Sequence, residues 1–155
     1  MVNTLDKGSL TGSIHVNIYY EDTDLSGFVY HANYLKYFER AREHLIGLKF
    51  LRDLHTKGVH FVVSDANIRY LYPAKHGDCL VVESHGHYTR SPAVYFNQMA
   101  YVLTNGEKKL ATKAEITLAT LNLENRPIRL PDFMTDHFRQ VQPETQPSGI
   151  ESPLT

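Results

Sequence analysis

Residues 31–46 read HANYLKYFERAREHLI, and their spacing decides the fold. Tyr34, Tyr37, Phe38, Ala41 and Leu45 recur at intervals of three and four, and Leu48 extends the series. Lys36, Glu39, Arg40, Arg42 and Glu43 occupy much of the remainder, so one stripe is apolar and the other is charged. This is the period of an amphipathic helix. Gly47 weakens it, which predicts a helix over 32–46 and a short second helix over 50–57 before Gly58.

Downstream the pattern changes to runs of Val, Ile, Tyr, Phe and Thr. These predict strands over 59–71, 78–89, 93–104 and 108–122, separated by the turns YPAKHGD, TRSP and TNGEK. Asn105-Gly106 in the last turn is a hairpin signal, because both residues tolerate positive φ. Upstream, SIHVNIYY (13–20) sets Ile14, Val16 and Ile18 against His15, Asn17 and Tyr19, as in a strand with one buried face. Strand, loop, long helix and four more strands make an α+β domain with a five-stranded antiparallel sheet. The domain is expected over 1–138, with ENRPIRLPDFMTDHF adding one terminal helical turn. Residues 139–155 have the composition of a flexible tail. One helix cannot cover five apolar-rich strands, so a second copy is expected to pair edge to edge, most readily along HFVVSDANIRYLY (60–72).

The chain has 155 residues, enough for one domain with a real core. Its formal net charge of −1 gives no whole-chain attraction to nucleic acid or to an anionic membrane. No apolar run approaches the roughly 20 residues that cross a bilayer, and MVNTLDKGSLTGS lacks the apolar stretch of a secretory signal. The single cysteine, Cys79, cannot form an intramolecular disulfide and reads as a small strand hydrophobe. A reducing compartment, the cytoplasm, is the expected location.

Chemistry concentrates just ahead of the helix, in YEDTDLSGFVYHANY (20–34). Three readings compete there. The acids and Asn33 could simply cap the helix and oppose its dipole, although three acids lie seven or more residues before it. Glu21, Asp22, Asp24 and His31 could hold a metal, but no His or Cys pair and no calcium-loop spacing accompanies them. His85 and His87 share a strand face without further ligands. The third reading is acid/base or nucleophilic catalysis. A carboxylate on the loop would act on a carbonyl polarised by free N–H groups at the helix start, with Gly27 letting the loop turn back.

YYEDTDLSGFVYHANYLKYFERAR resembles the signature of hotdog-fold acyl-CoA thioesterases of the 4-hydroxybenzoyl-CoA thioesterase superfamily, most closely its YbgC branch. The similarity runs on through FVVSDANIRYLYPAKHGDCLVV, NQMAYV and KAEITLATLN to RPIRLP, about residues 13 to 131. The resemblance implies a sheet wrapped around one central helix and hydrolysis of thioesters of coenzyme A, or of acyl carrier protein. Asp24 matches the catalytic carboxylate, and Tyr20 and His31 the tyrosine and histidine that accompany it. The His31 N–H would be the donor to the carbonyl. Tyr30 and Tyr34 would line the substrate, and Arg90 with Ser91 would meet the nucleotide end, although Pro92 alters that turn. Lys75, Arg126 and Arg129 are further basic candidates. A related branch carries its carboxylate on the helix, where Glu39 and Glu43 stand. In FERARE these read instead as salt-bridge residues of the helix face. No metal or organic cofactor is implied, and the site is expected between two subunits of a homodimer that doubles to a homotetramer. The rival from another class is a non-catalytic hotdog module that binds acyl-CoA or acyl carrier protein.

Overall fold

The computed structural model describes residues 7–141. The chain runs β1 (Gly8–Asn17), α1 (Asn33–Ile46), α2 (Leu48–Thr56), β2 (Val59–Tyr70), β3 (Cys79–Tyr88), β4 (Ala93–Thr104), β5 (Glu107–Asn122) and α3 (Asp132–Gln140). The five strands form one antiparallel sheet in the order β1-β3-β4-β5-β2. The first helix crosses between β1 and β2, which therefore become the two edges. Asn105 and Gly106 take φ of 51° and 80°, as the hairpin joining β4 and β5 requires.

Register fixes which ends lie together. Val59 of β2 pairs with Asn122, Ala93 of β4 with Ala119, and Gly8 of β1 with Tyr88, so the β3–β4 turn stands at the end where β2 begins. At the other end, Tyr70 pairs with Thr112 and Asn17 with Cys79. The acidic loop leaves β1 there.

The core lies between the inner sheet face and α1. Tyr34, Tyr37, Phe38, Ala41 and Ile46 are buried against Leu80, Val82, Phe96, Ala100 and Ile116. Each such large side chain contributes about 1.5–3 kcal/mol on burial, enough to hold α1 in one rotational setting. Val16 and Ile18 are buried and Ile14 partly so, the face that the alternation predicts. Cys79 is half-buried, its Sγ 3.9 Å from His15 Nδ1.

Four expectations are corrected. The first strand begins at Gly8 rather than residue 13 and ends at Asn17, because Tyr20–Asp22 turn into a single 3₁₀ turn. Leu48 does not extend the α1 stripe: Gly47, at φ 104°, breaks the helix and Leu48 starts α2, 46% exposed. The buried stripe instead takes in Arg42. The short second helix is present as α2, but the expected single terminal turn is a full helix. The nine-residue α3 buries Met134 and Phe138, and its His137 ring stacks on Phe50 with Nε2 2.6 Å from the Ile46 carbonyl oxygen. Helix α3 also runs past the expected boundary at 138; the rest of the expected tail, 142–155, lies outside the described residues.

Candidate active site

The loop between β1 and α1 is built around Asp22. Its Oδ2 accepts from the Tyr19 N–H at 2.8 Å and its Oδ1 from the Tyr37 hydroxyl at 2.8 Å. Its carbonyl oxygen takes the Tyr30 N–H and the Asn33 side-chain amide, each at 2.9 Å. Burial, then the bond to Asp22, drives the Tyr37 hydroxyl well above its ordinary pKa, so it stays a donor. Asp22 thus fastens the loop to the helix start without capping it: its carboxylate takes no α1 N–H, α1 has no side-chain cap and no acid stands in its first turn, so the capping reading is corrected.

Asp24 is differently placed. Its carbonyl accepts from the Gly27 N–H at 3.0 Å, its N–H donates to the Phe28 carbonyl at 3.0 Å, and Gly27 turns the chain at φ 82°. A side chain at Gly27 would meet no neighbour within 4 Å, so the backbone angle, not space, calls for glycine. The Asp24 Oδ1 accepts from the Ser26 N–H at 2.8 Å and from the Ser26 hydroxyl. These two bonds, with a smaller push from nearby His31, hold the exposed Asp24 carboxyl below the ordinary carboxylate range.

At the helix start, the N–H groups of Asn33 and Leu35 reach the carbonyls of Tyr30 and Ala32. The His31 N–H meets no backbone acceptor among the described residues. The Tyr70 hydroxyl, from the end of β2, donates to the His31 carbonyl at 2.8 Å and so restrains the peptide between His31 and Ala32, next to the one that carries the His31 N–H. Asp24 and His31 face a common depression of about 360 Å³ walled by Phe28, Val29, Tyr34, Tyr70 and Tyr72. The walls are chiefly aromatic. A carboxylate and a residue whose N–H has no backbone acceptor therefore line one space with chiefly aromatic walls, residue types able to polarise a carbonyl and attack it or deliver water to it.

The candidate residues separate into groups. Asp24, His31 and Tyr34 line this depression. Tyr30 stands beside it, its ring 4.5 Å from that of His31. Tyr20 does not line it: the side chain is 81% exposed, with its ring 6.1 Å from that of His76. Arg90 and Ser91 sit in the β3–β4 turn, at the far end of the sheet in the same chain. There Arg90 pairs with Asp132, and the Ser91 N–H donates to Thr89 Oγ1 at 3.1 Å. Glu39 and Glu43 make no ion pair among the described residues; they border a second cavity beneath α1. That corrects their reading as salt-bridge residues. The metal reading of the loop also loses its geometry, since no three His, Cys, Asp or Glu side chains converge among the described residues.

Sequence reasoning passed over Ser26 and Tyr70. Asp-x-Ser before a glycine is a local turn signal that could have found Ser26. Nothing local marks Tyr70, which reaches His31 only through the pairing of β2.

An antiparallel sheet laid over α1 defines a hotdog-fold protein. Residues 19–138 match the Thioesterase-like superfamily, and the chain belongs to it. The Acyl-CoA thioesterase YbgC of Haemophilus influenzae is 37% identical over 134 residues, covering 84% of this chain and 96% of that protein. The Acyl-CoA thioester hydrolase YbgC of Escherichia coli O6:H1 is 32% identical over 128 residues, 81% of this chain and 93% of that one. Among solved structures, a probable thioesterase from Bartonella henselae superposes with a TM-score of 0.62 at 31% identity, covering 79% and 99% of the two chains. A 4-hydroxybenzoyl CoA thioesterase mutant with 4-hydroxybenzoyl CoA bound has a TM-score of 0.74 at 16% identity over 83% and 98%, a likeness of fold. Among the described residues no helix is long and apolar enough to cross a membrane.

Proposed function

We propose that the protein hydrolyses acyl-CoA thioesters at Asp24. As a YbgC-like member of the superfamily, it is a thioester hydrolase. One observation carries the placement of the chemistry: Asp24 and the start of α1 open on the same aromatic-walled space. The thioester carbonyl oxygen accepts from the His31 N–H, aided by the helix dipole. Because Oδ1 is engaged by Ser26, Oδ2 is the oxygen directed at the thioester. As a general base it takes a proton from water while the hydroxide adds to the carbonyl carbon. As a nucleophile it adds itself and forms an anhydride that water then opens. In the first case Asp24 returns that proton to the sulfur as the C–S bond breaks; in the second the C–S bond breaks to release a thiolate, and the water that opens the anhydride supplies the proton that balances it. Both leave a free acid and a thiol. Water is the second substrate, so the chemistry requires no cofactor, and turnover should survive chelators.

The working unit in this reading is a homodimer joined along β2, with two dimers forming a tetramer in the cytoplasm. The run from Val62 to Asn67 lies exposed on that edge, and its strand pairs only with β5. Antiparallel pairing of two β2 edges sets the start of one against the end of the other. The partner's β3–β4 turn, with Arg90 and Ser91, would then stand at the Asp24 end, where a nucleotide needs cations. Coenzyme A and acyl carrier protein present the same thioester on the same kind of arm, and both are candidate carriers.

The test is release of free thiol, followed with a thiol-trapping dye, from short, long and aromatic acyl-CoAs and from acyl carrier protein thioesters. Turnover on at least one class is expected. Release from none would favour a binding module.

A further inference from the structure

The second cavity, about 310 Å³, lies between α1, α2 and the start of β2, with apolar walls that include Ile46, Leu54, Phe61 and Leu118. Its polar groups are Glu39, Arg42, Glu43 and His60. Arg42 is only 7% exposed, and its Nη1 donates to Gln98 Oε1 at 2.8 Å. Gln98 is fully buried, and its Nε2 donates to the Phe38 carbonyl at 2.9 Å and to Ser84 Oγ at 2.8 Å. Those two bonds leave Oε1 nothing to face but the guanidinium. A buried network is therefore built to hold Arg42 beside a cavity. Its partner there is a neutral amide, and no carboxylate forms an ion pair with it among the described residues. Burial lowers the Arg42 pKa, and the nearby Glu39 charge offsets part of that cost without a direct ion pair. The His60 Nδ1 is also buried without a hydrogen-bond partner.

The chemistry of these groups selects among occupants. A hydroxyl accepts from Arg42 and donates to Glu39 or Glu43, and being neutral it meets no repulsion. A carboxylate would face two like charges. A methyl end would leave Arg42 and His60 unanswered, the situation in which polar sites discriminate most.

Position links this cavity to the catalytic one. It touches Phe61, Val62 and Val63 near the start of β2, whereas the Asp24 depression touches Tyr70, Leu71 and Tyr72 at its end. When two β2 edges pair antiparallel, the first cavity of one copy faces the second cavity of the other. We propose that the α1–β2 cavity receives the far end of the acyl group held at Asp24 of the second copy, and that Arg42 with Glu39 selects acyl groups ending in a hydroxyl. This rests on the thioester reading above.

The test compares octanoyl-CoA with ω-hydroxyoctanoyl-CoA, both with methylene in place of the thioester sulfur, by calorimetry on the full chain. The hydroxylated analogue should bind about 10-fold tighter or better, the scale of one buried charge-assisted hydrogen bond. Arg42→Met should erase the preference. Glu39→Gln, at an exposed position that leaves folding untouched, should reduce it about 3-fold or more. If Arg42→Met does not fold, Glu39→Gln decides alone. Equal binding of the two analogues by the unaltered protein, or an undiminished preference in the folded variants, would overturn the proposal. Hydrolysis of the true thioesters is scored separately. Buffer-rate hydrolysis with a retained binding preference would fail the thioesterase reading and leave the hydroxyl selection standing.

Discussion

The Tyr37 hydroxyl on the buried face of α1 donates to Asp22 Oδ1 at 2.8 Å. The helix core thereby grips the acid two residues before Asp24, and the loop cannot shift without breaking a hydrogen bond to a charged group. Tyr37→Phe keeps the ring in the core and removes that bond alone. Stability should fall by about 1–2 kcal/mol, and turnover should fall with KM nearly unchanged as Asp24 loses its setting. Denaturant unfolding beside steady-state kinetics checks both. A destabilised variant with full turnover would show that the grip serves the fold only.

Ser26 sets the acid limb of the pH profile. Its hydroxyl and N–H depress the Asp24 pKa, so the carboxylate stays ionised below the ordinary carboxylate range and activity should decline only at still lower pH. Ser26→Ala removes the larger contribution, the hydroxyl bond, while the N–H bond remains. The acid limb of kcat/KM should therefore move to higher pH. An unmoved limb would mean that a group other than Asp24 titrates there.

The paired β2 edges predict a sharp response to charge. Val63 lies on β2 and is 52% exposed in the single chain, so Val63→Lys costs the monomer little. Set against the partner's β2 edge, the lysine should block association and abolish activity with it. Sedimentation at working concentration should report a monomer, with far-UV circular dichroism unchanged. A fully active monomer would refute both the edge pairing and the shared site.

Strong local signals were legible in the sequence. Strands β2 to β5 and helix α1 announce themselves through β-branched runs, an Asn-Gly turn and a three-to-four spacing, and the structure moves their ends by at most one residue. The start of β1 was not legible because Gly8–Ser13 offers only Leu10 as an apolar side chain. Pairing with β3, not local preference, makes it a strand. Arg42 was hidden for the opposite reason. A charged residue in a helix reads as solvent-facing, and only the long-range bond to Gln98 explains its burial. At the site, the position of Asp24 before the helix was legible, while the restraint of His31 by Tyr70 depends on a contact across 39 positions.

Asp24→Asn tests the chemistry most directly, since it keeps the side-chain volume and the approach of Ser26 while removing the anionic oxygen. Turnover on the best acyl-CoA should drop by about 100-fold or more, the lower scale for losing a general base. Binding of a non-hydrolysable acyl-CoA should change little, because the lost interaction belongs to the transition state. Unchanged turnover in Asp24→Asn would contradict the assignment and send the search to Glu39 and Glu43.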